Sequence, residues 1–250
     1  MIQSSEVLKS SSPSTTTSTT LSSDGTNNNL YVLKVYGSTK LQKIIQELII
    51  TQLLCDDNNN IIKIYQVGKN RSEDTIMIVE EHVDFMFYHN LYPTLDPNDV
   101  KYYSYELLRA INHAHSKGVI HQAIKPSSIP IDPKLQKIRL KNWDHAVVVM
   151  RYNSYDINPS SPFNSNNKFK SLSDHHSNIH HNQKNNYYRS PEMLLGHHNI
   201  TFSTDMWSFG CLFAGWIFLK NIFFKSRQDI DKAKGGQLYT IAKVCMNEMR

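Results

Sequence analysis

Apolar residues along this chain alternate between two periods, and the switches mark its elements. Leu41, Ile44, Ile45, Leu48, Ile49 and Leu53 recur at helical spacing and predict a helix from Leu41 to Leu54, with Ser38 or Thr39 as its cap. Before it, Leu30 to Val35 reads as a short strand carrying Lys34. After it, Ile61 to Val67 and Thr75 to Val83 read as two strands joined by a polar hairpin. Asp96-Pro97, a cap followed by a first-turn proline, opens a second helix that ends at Gly118. Its inward face is Val100, Tyr103, Leu107, Ala110, Ile111 and Ala114. A third helix, Ser203 to Lys220, is apolar nearly all round, the mark of a helix buried through the middle of a domain. Strands with one helix come first and helices follow. This order predicts an α+β chain with two unequal lobes, residues 1–82 and 83–250.

Composition narrows the classes. The chain has 250 residues, 40% hydrophobic and 20% charged, enough for one two-lobed domain. Lys+Arg 27 against Asp+Glu 22 gives +5, spread without the clustering that a nucleic-acid footprint needs. Cys55, Cys211 and Cys245 form no close pair, which argues against a zinc site or disulfide framework and for a reducing compartment. The first ten residues lack the apolar core of a signal peptide, and the run from Cys211 to Leu219 is about half a membrane span. The expected location is cytoplasmic or nuclear, with no nucleic-acid or membrane partner.

Two stretches stand outside this pattern. Residues 10–29 are almost wholly Ser, Thr and Asn, and residues 153–186 are dominated by Asn, Ser and His. Neither offers enough apolar surface to offset the entropy of ordering, so both are expected to be surface inserts. The pairs His175-His176 and His180-His181 have no acidic or Cys partner at ligand spacing, so biased composition explains them better than metal binding.

Between the second helix and the third lies VIHQAIKPSSIPID, Val119 to Asp132: a His, then Lys-Pro, then a strand-like ending. With RLKNWDHA, YYRSPEMLLG, DMWSFGCLFA, IMIVEEHVD and QLYTIAKV in their order, the chain resembles the eukaryotic protein kinases, most closely the casein kinase 2 catalytic alpha subunit. The resemblance covers the chain except the two inserts, which makes it specific where any single motif would be weak. It implies a bilobal protein-kinase-like fold: a small β-rich lobe and a larger helical lobe with the second insert in its activation segment.

By that resemblance, Lys34 matches the strand lysine that holds nucleotide phosphates, and Glu47 the helix glutamate that pairs with it. Lys125 matches a catalytic-loop lysine that assists phosphoryl transfer. Val83 falls in the hinge beside the nucleotide, and Pro130 falls where the adenine floor has an apolar strand residue. His121, Trp143, Ile64 and Asp205 match positions that stack through the core, with Thr51 a weaker member.

The departures fall on the chemistry. Ala123 stands where the resemblance implies the Asp that accepts the substrate's proton. Loss of a general base alone costs about 10²–10⁴-fold, roughly 3–5 kcal/mol of barrier. Asn142 stands at the metal-binding Asp and Ser128 at the metal-binding Asn, weakening both oxygen ligands for a hard cation. Asp144 replaces a glycine, and Gln122 replaces an arginine that senses activation-segment charge. Glu80 stands at the gatekeeper, where a buried carboxylate is costly unless protonated or paired, for instance with Lys34 in competition with Glu47. No G-x-G-x-x-G exists, and Ser4 to Leu8 resembles the strand just after that loop, so the first strand and glycine-rich loop are expected to be missing.

No cofactor is therefore expected, with ATP and magnesium implied only if activity survives. The reading this favours is an inactive kinase with a binding or scaffolding role. A residually active Ser/Thr kinase and a truncated duplicate without function stay open beside it. The resemblance suggests a casein kinase 2 regulatory subunit or kinase substrates as partners, but Lys40 and Lys43 are too few basic residues for acidic-substrate docking. The chain stops at Arg250, before an expected arginine partner for Glu192 and before helices that cover the large lobe. Apolar surface around Trp216 and Phe218 is thus expected to be exposed and to drive self-association.

Overall fold

Strand alternation around Lys34 builds the first unit. The computed structural model describes residues 7–8, 19–23, 30–37, 41–56, 60–70, 72–149, 187–197, 200–225 and 235–247. In chain order the elements are β1 (Val7–Leu8), β2 (Thr19–Ser23), β3 (Leu30–Gly37), α1 (Leu41–Leu54), β4 (Ile64–Asn70), β5 (Thr75–Glu81), α2 (Tyr88–Leu91) and α3 (Pro97–Ser116). There follow β6 (Val119–Ile120), β7 (Ile131–Asp132), β8 (Lys137–Ile138), β9 (Val147–Val148), α4 (Pro191–Leu194), α5 (Ser203–Ile217) and α6 (Gly235–Asn247). The chain divides into two compact units: residues 1–86 with 130–145, and residues 87–129 with 146–250. The break at 86/87 lies four residues beyond the one expected, and the β7–β8 hairpin belongs with the sheet unit rather than the helical one.

The first unit is a five-stranded antiparallel sheet in the order β1-β2-β3-β5-β4. One expectation is corrected here. At the sheet's far edge β1 pairs with β2, and β2 with β3. The residues expected to form one loop also contain β2, whose threonines are residues that favour a pleated backbone. The joining residues 9–18 contain no glycine. Helix α1 has the predicted bounds but buries a different face: Ile44, Glu47, Ile50, Thr51 and Leu54 point inward, while Leu41, Ile45, Ile49 and Leu53 are exposed. Apolar residues line both sides of this helix, so spacing alone cannot choose, and the choice follows Glu47 toward Lys34. The segment 130–145 joins the sheet through Ile62 N–H to Leu140 O (3.1 Å) and Met86 N–H to Ile131 O (3.2 Å).

The second unit is mainly helical. Asp96 caps α3 reciprocally: its side chain accepts from Asp99 N–H at 2.8 Å, and Asp99 accepts from Asp96 N–H at 3.2 Å. Such a box is worth about 1 kcal/mol. Tyr103, Leu107, Ala110, Ile111 and Ala114 form the buried stripe, as their spacing predicts, while Val100, expected on it, is only half-buried. The helix stops before Gly118, whose φ of +75° and position fit only glycine, since a Cβ there would lie 2.6 Å from Val149 O. Helix α5 ends at Ile217, three residues short of the predicted end, and is not buried all round. Thr204, Asp205, Ser208, Cys211, Leu212, Gly215 and Trp216 face inward, while Met206, Phe213 and Ile217 are exposed. Trp216 is buried edge-on to Tyr92, so it leaves the exposed patch expected for it, whereas Phe218 is 58% exposed. Glu192 accepts a hydrogen bond from Thr204 Oγ1 at 3.0 Å. The second insert, residues 153–186, and its four histidines lie outside the described residues.

Candidate active site

In the sheet unit, alternation puts Lys34 and Tyr36 on one face of β3. The register pairs Lys34 with Ile78 and Val32 with Glu80, so Lys34 and Glu80 are diagonal neighbours on the same face of adjacent strands. Lys34 Nζ lies 2.7 Å from Glu80 Oε2 and 3.4 Å from Glu47 Oε1. Glu80 is 1% exposed, and its other oxygen lies 3.7 Å from Lys141 Nζ. Tyr36 donates to Glu47 Oε2 at 3.4 Å. Two lysines and two glutamates thus meet in one largely buried cluster, with the Asp144 carboxylate acting on Glu47 from nearby.

Burial and neighbouring charges displace Lys34, Glu47, Tyr36 and Lys141 from their ordinary behaviour. Burial works to lower the Lys34 ammonium, but Glu80 and then Glu47 outweigh it and hold its pKa well above the usual lysine value. Burial pushes Glu47 up, against the pull of Lys34 and with the help of Asp144. Burial likewise raises the Tyr36 phenol and lowers Lys141, the latter against the attraction of Glu80. Glu81, one residue on, faces the opposite way and meets Arg139 Nε at 2.9 Å and Lys137 Nζ at 2.8 Å. Those bonds overcome its burial and hold its carboxyl below the usual range. Val83 and Pro130 are both buried within this unit, and Arg139 N–H donates to Pro130 O at 3.2 Å. Asn142 is left-handed at φ 67°, a conformation asparagine tolerates better than most residues. Asp144 is not left-handed, so the side chain standing where the resemblance implies a glycine meets no left-handed backbone.

In the helical unit, one carboxylate shapes the loop after β6. Asp205, 1% exposed on α5, accepts from His121 N–H on Oδ2 and from Gln122 N–H on Oδ1, both at 2.8 Å. His115 Nε2 lies 2.9 Å from Oδ2, and its ring packs on Phe202 at 4.6 Å. These bonds hold Gln122 left-handed at φ 62°. Ala123 N–H then donates to His121 Nδ1 at 3.2 Å, and Ser128 Oγ, fully buried, donates to Ala123 O at 2.9 Å. Lys125 is half-buried and precedes the single turn Pro126–Ser128. The loop is fully built around a methyl group.

Among the core positions, His121, Trp143, Asp205 and Thr51 are buried, while Ile64 is half-buried. Three participants escape the sequence reading. Tyr36 was available from period two, lying two residues from Lys34. His115 resembles an ordinary basic residue of a helix end. Lys141 carries no local signal, because its partner is 61 positions away. Among the described residues no group of three or more His, Cys, Asp or Glu is placed to hold a metal ion.

A lysine and glutamate joining sheet to helix in one unit, and a loop pinned by a helix aspartate in the other, are supports on which a phosphotransferase is built. A family model of the protein kinase domain matches residues 24–250, and the chain belongs to that family.

Proposed function

We propose that this chain is a protein kinase domain of the casein kinase 2 alpha type that does not transfer phosphate and acts as a protein-binding or scaffolding module. Ala123 carries the proposal: the surrounding loop keeps its hydrogen bonds, and the side chain at the base position has no atom that accepts a proton. The remaining chemistry points the same way. Asn142 offers a hard cation a neutral oxygen in place of a charged one, and Ser128, fully buried, has its hydroxyl turned toward Ala123 O. Lys34 is shared between two carboxylates before any phosphate arrives. These residues fit a magnesium–nucleotide complex poorly, so no transfer step is assigned to them. Three free thiols suit a reducing compartment, cytoplasmic or nuclear, and no helix among the described residues is long and apolar enough to cross a membrane. The partner proposed is a protein, either a regulatory subunit of the casein kinase 2 kind or a kinase substrate.

A residually active Ser/Thr kinase is the second reading, favoured by the surviving 3.4 Å Lys34–Glu47 pair. Phosphotransfer to acidic peptides with ATP and magnesium separates the two. The unaltered protein and its Ala123→Asp variant should both turn over no faster than Lys34→Met. Magnesium-dependent turnover that vanishes in Lys34→Met would refute the inactive reading.

A further inference from the structure

Two lysines from distant parts of the chain converge on one carboxylate. Glu80 places Oε2 2.7 Å from Lys34 Nζ and Oε1 3.7 Å from Lys141 Nζ, in surroundings that leave it 1% exposed. A kinase framework asks Lys34 to pair with Glu47, yet here Glu47 is the farther partner at 3.4 Å. A carboxylate with one oxygen toward each ammonium presents what two oxygens of a phosphate chain would present to the same lysines. Glu80 is the nearer carboxylate to Lys34 and also faces Lys141, so its removal takes away the anion that both ammonium groups face, in a site where charge is poorly screened.

We propose that Glu80 is a built-in anion occupying the phosphate-binding position of Lys34 and Lys141, and that its removal uncovers an anion site for polyphosphate chains. The proposal rests on the reading of the chain as an inactive kinase domain but makes a separate claim. The block on binding lies at Glu80, whereas Ala123 and Asn142 block the chemistry. The strand can accept the change: the residues paired with Glu80 across the sheet are Val32 and Ile64, both apolar, so an uncharged side chain of similar reach suits the position.

Tripolyphosphate titrated calorimetrically into the full chain, without metal, tests this. The unaltered protein should show no saturable binding. Glu80→Gln and Glu80→Leu should each bind at least about tenfold more tightly than it does, and adding Lys34→Met to either should abolish the gain. Cooperative melting by circular dichroism checks that each variant folds. If a folded Glu80 variant binds no better than the unaltered protein, or if Lys34→Met leaves the gain intact, the proposal fails. A measurement on the unaltered protein needs no variant to fold: the ¹⁵N signal of the Lys34 ammonium should not move when tripolyphosphate is added, and a saturable shift would overturn the proposal. The two readings fail separately. Phosphotransfer by Glu80→Gln would refute the chemical block assigned to Ala123 and Asn142 and leave the Glu80 site standing, while loss of the predicted binding would leave that chemical block standing.

Discussion

Replacing Asp205 with alanine should be among the most damaging single changes in this chain, although Asp205 performs no chemistry. Its carboxylate accepts two backbone N–H groups at 2.8 Å and faces His115 Nε2 at 2.9 Å, all within the helical unit. A hydrogen bond to a charged group contributes about 1.5–3 kcal/mol, so the two backbone bonds together are worth roughly 3–6 kcal/mol. Their loss also strands the His121 N–H in a buried position. Part of this is returned when Gln122 relaxes from φ 62°, a conformation that costs about 1–2 kcal/mol. The net expectation is about 3–5 kcal/mol, against a total stability of about 5–15 kcal/mol. For a chain this long that is a fall in Tm on the order of 10 °C. Asp205→Asn should fall between, because its amide offers one acceptor but points a donor at the second N–H. Ala123→Asp, on the same loop, adds a side chain without removing a bond and should stay within about 1 kcal/mol. Urea titrations followed by circular dichroism, with thermal melts alongside, measure all three. If Asp205→Ala stays within about 1 kcal/mol of the unaltered protein, the loop is not held by this carboxylate.

Two further outcomes follow from named contacts. Glu81 has a folded-state pKa below its unfolded value, so its stabilisation is present above about pH 4.5 and is lost as pH falls through the depressed folded value. Melts from pH 7 down to pH 3 should therefore show an acid-side loss that shrinks in Glu81→Gln, and an unchanged profile would count against the Arg139 and Lys137 bonds. Gly118→Ala should destabilise by about 2 kcal/mol or more, since its Cβ would press on Val149 O from a left-handed backbone, and a neutral effect in denaturant titration would contradict that geometry.

What the sequence made legible was whatever a period or a cap encodes. The bounds of α1 and the cap and buried stripe of α3 needed only local spacing. The inward face of α1 did not follow, because Leu41, Ile45, Ile49 and Leu53 make an equally apolar stripe and only the tertiary position of Lys34 breaks the tie. Strand β2 was hidden for the opposite reason. Thr19 to Ser23 offers little to bury, yet its backbone pairs fully with β3, and hydrophobicity does not report on pairing. The candidate site divides in the same way. Lys34, Glu47, Ala123 and Asn142 were readable from motif order. The closeness of Glu80 to Lys34 depends on strand register, and Lys141 and His115 join their clusters only through partners 61 and 90 positions away.

The reach of Asp205 has a kinetic consequence. Its bonds to His121 and Gln122 span 84 and 83 positions of chain. Such a closure must meet its entropic cost before any contact rewards it, so it belongs to the late, slow part of folding. During synthesis at about 5–20 residues per second, the segment around Ala123 leaves the ribosome roughly 4–17 s before its anchor does. Throughout that interval His121 and Gln122 have no carboxylate to bind, and the left-handed turn at Gln122 has nothing to hold it. A nascent chain arrested anywhere short of Asp205 would carry the right residues in an unshaped loop.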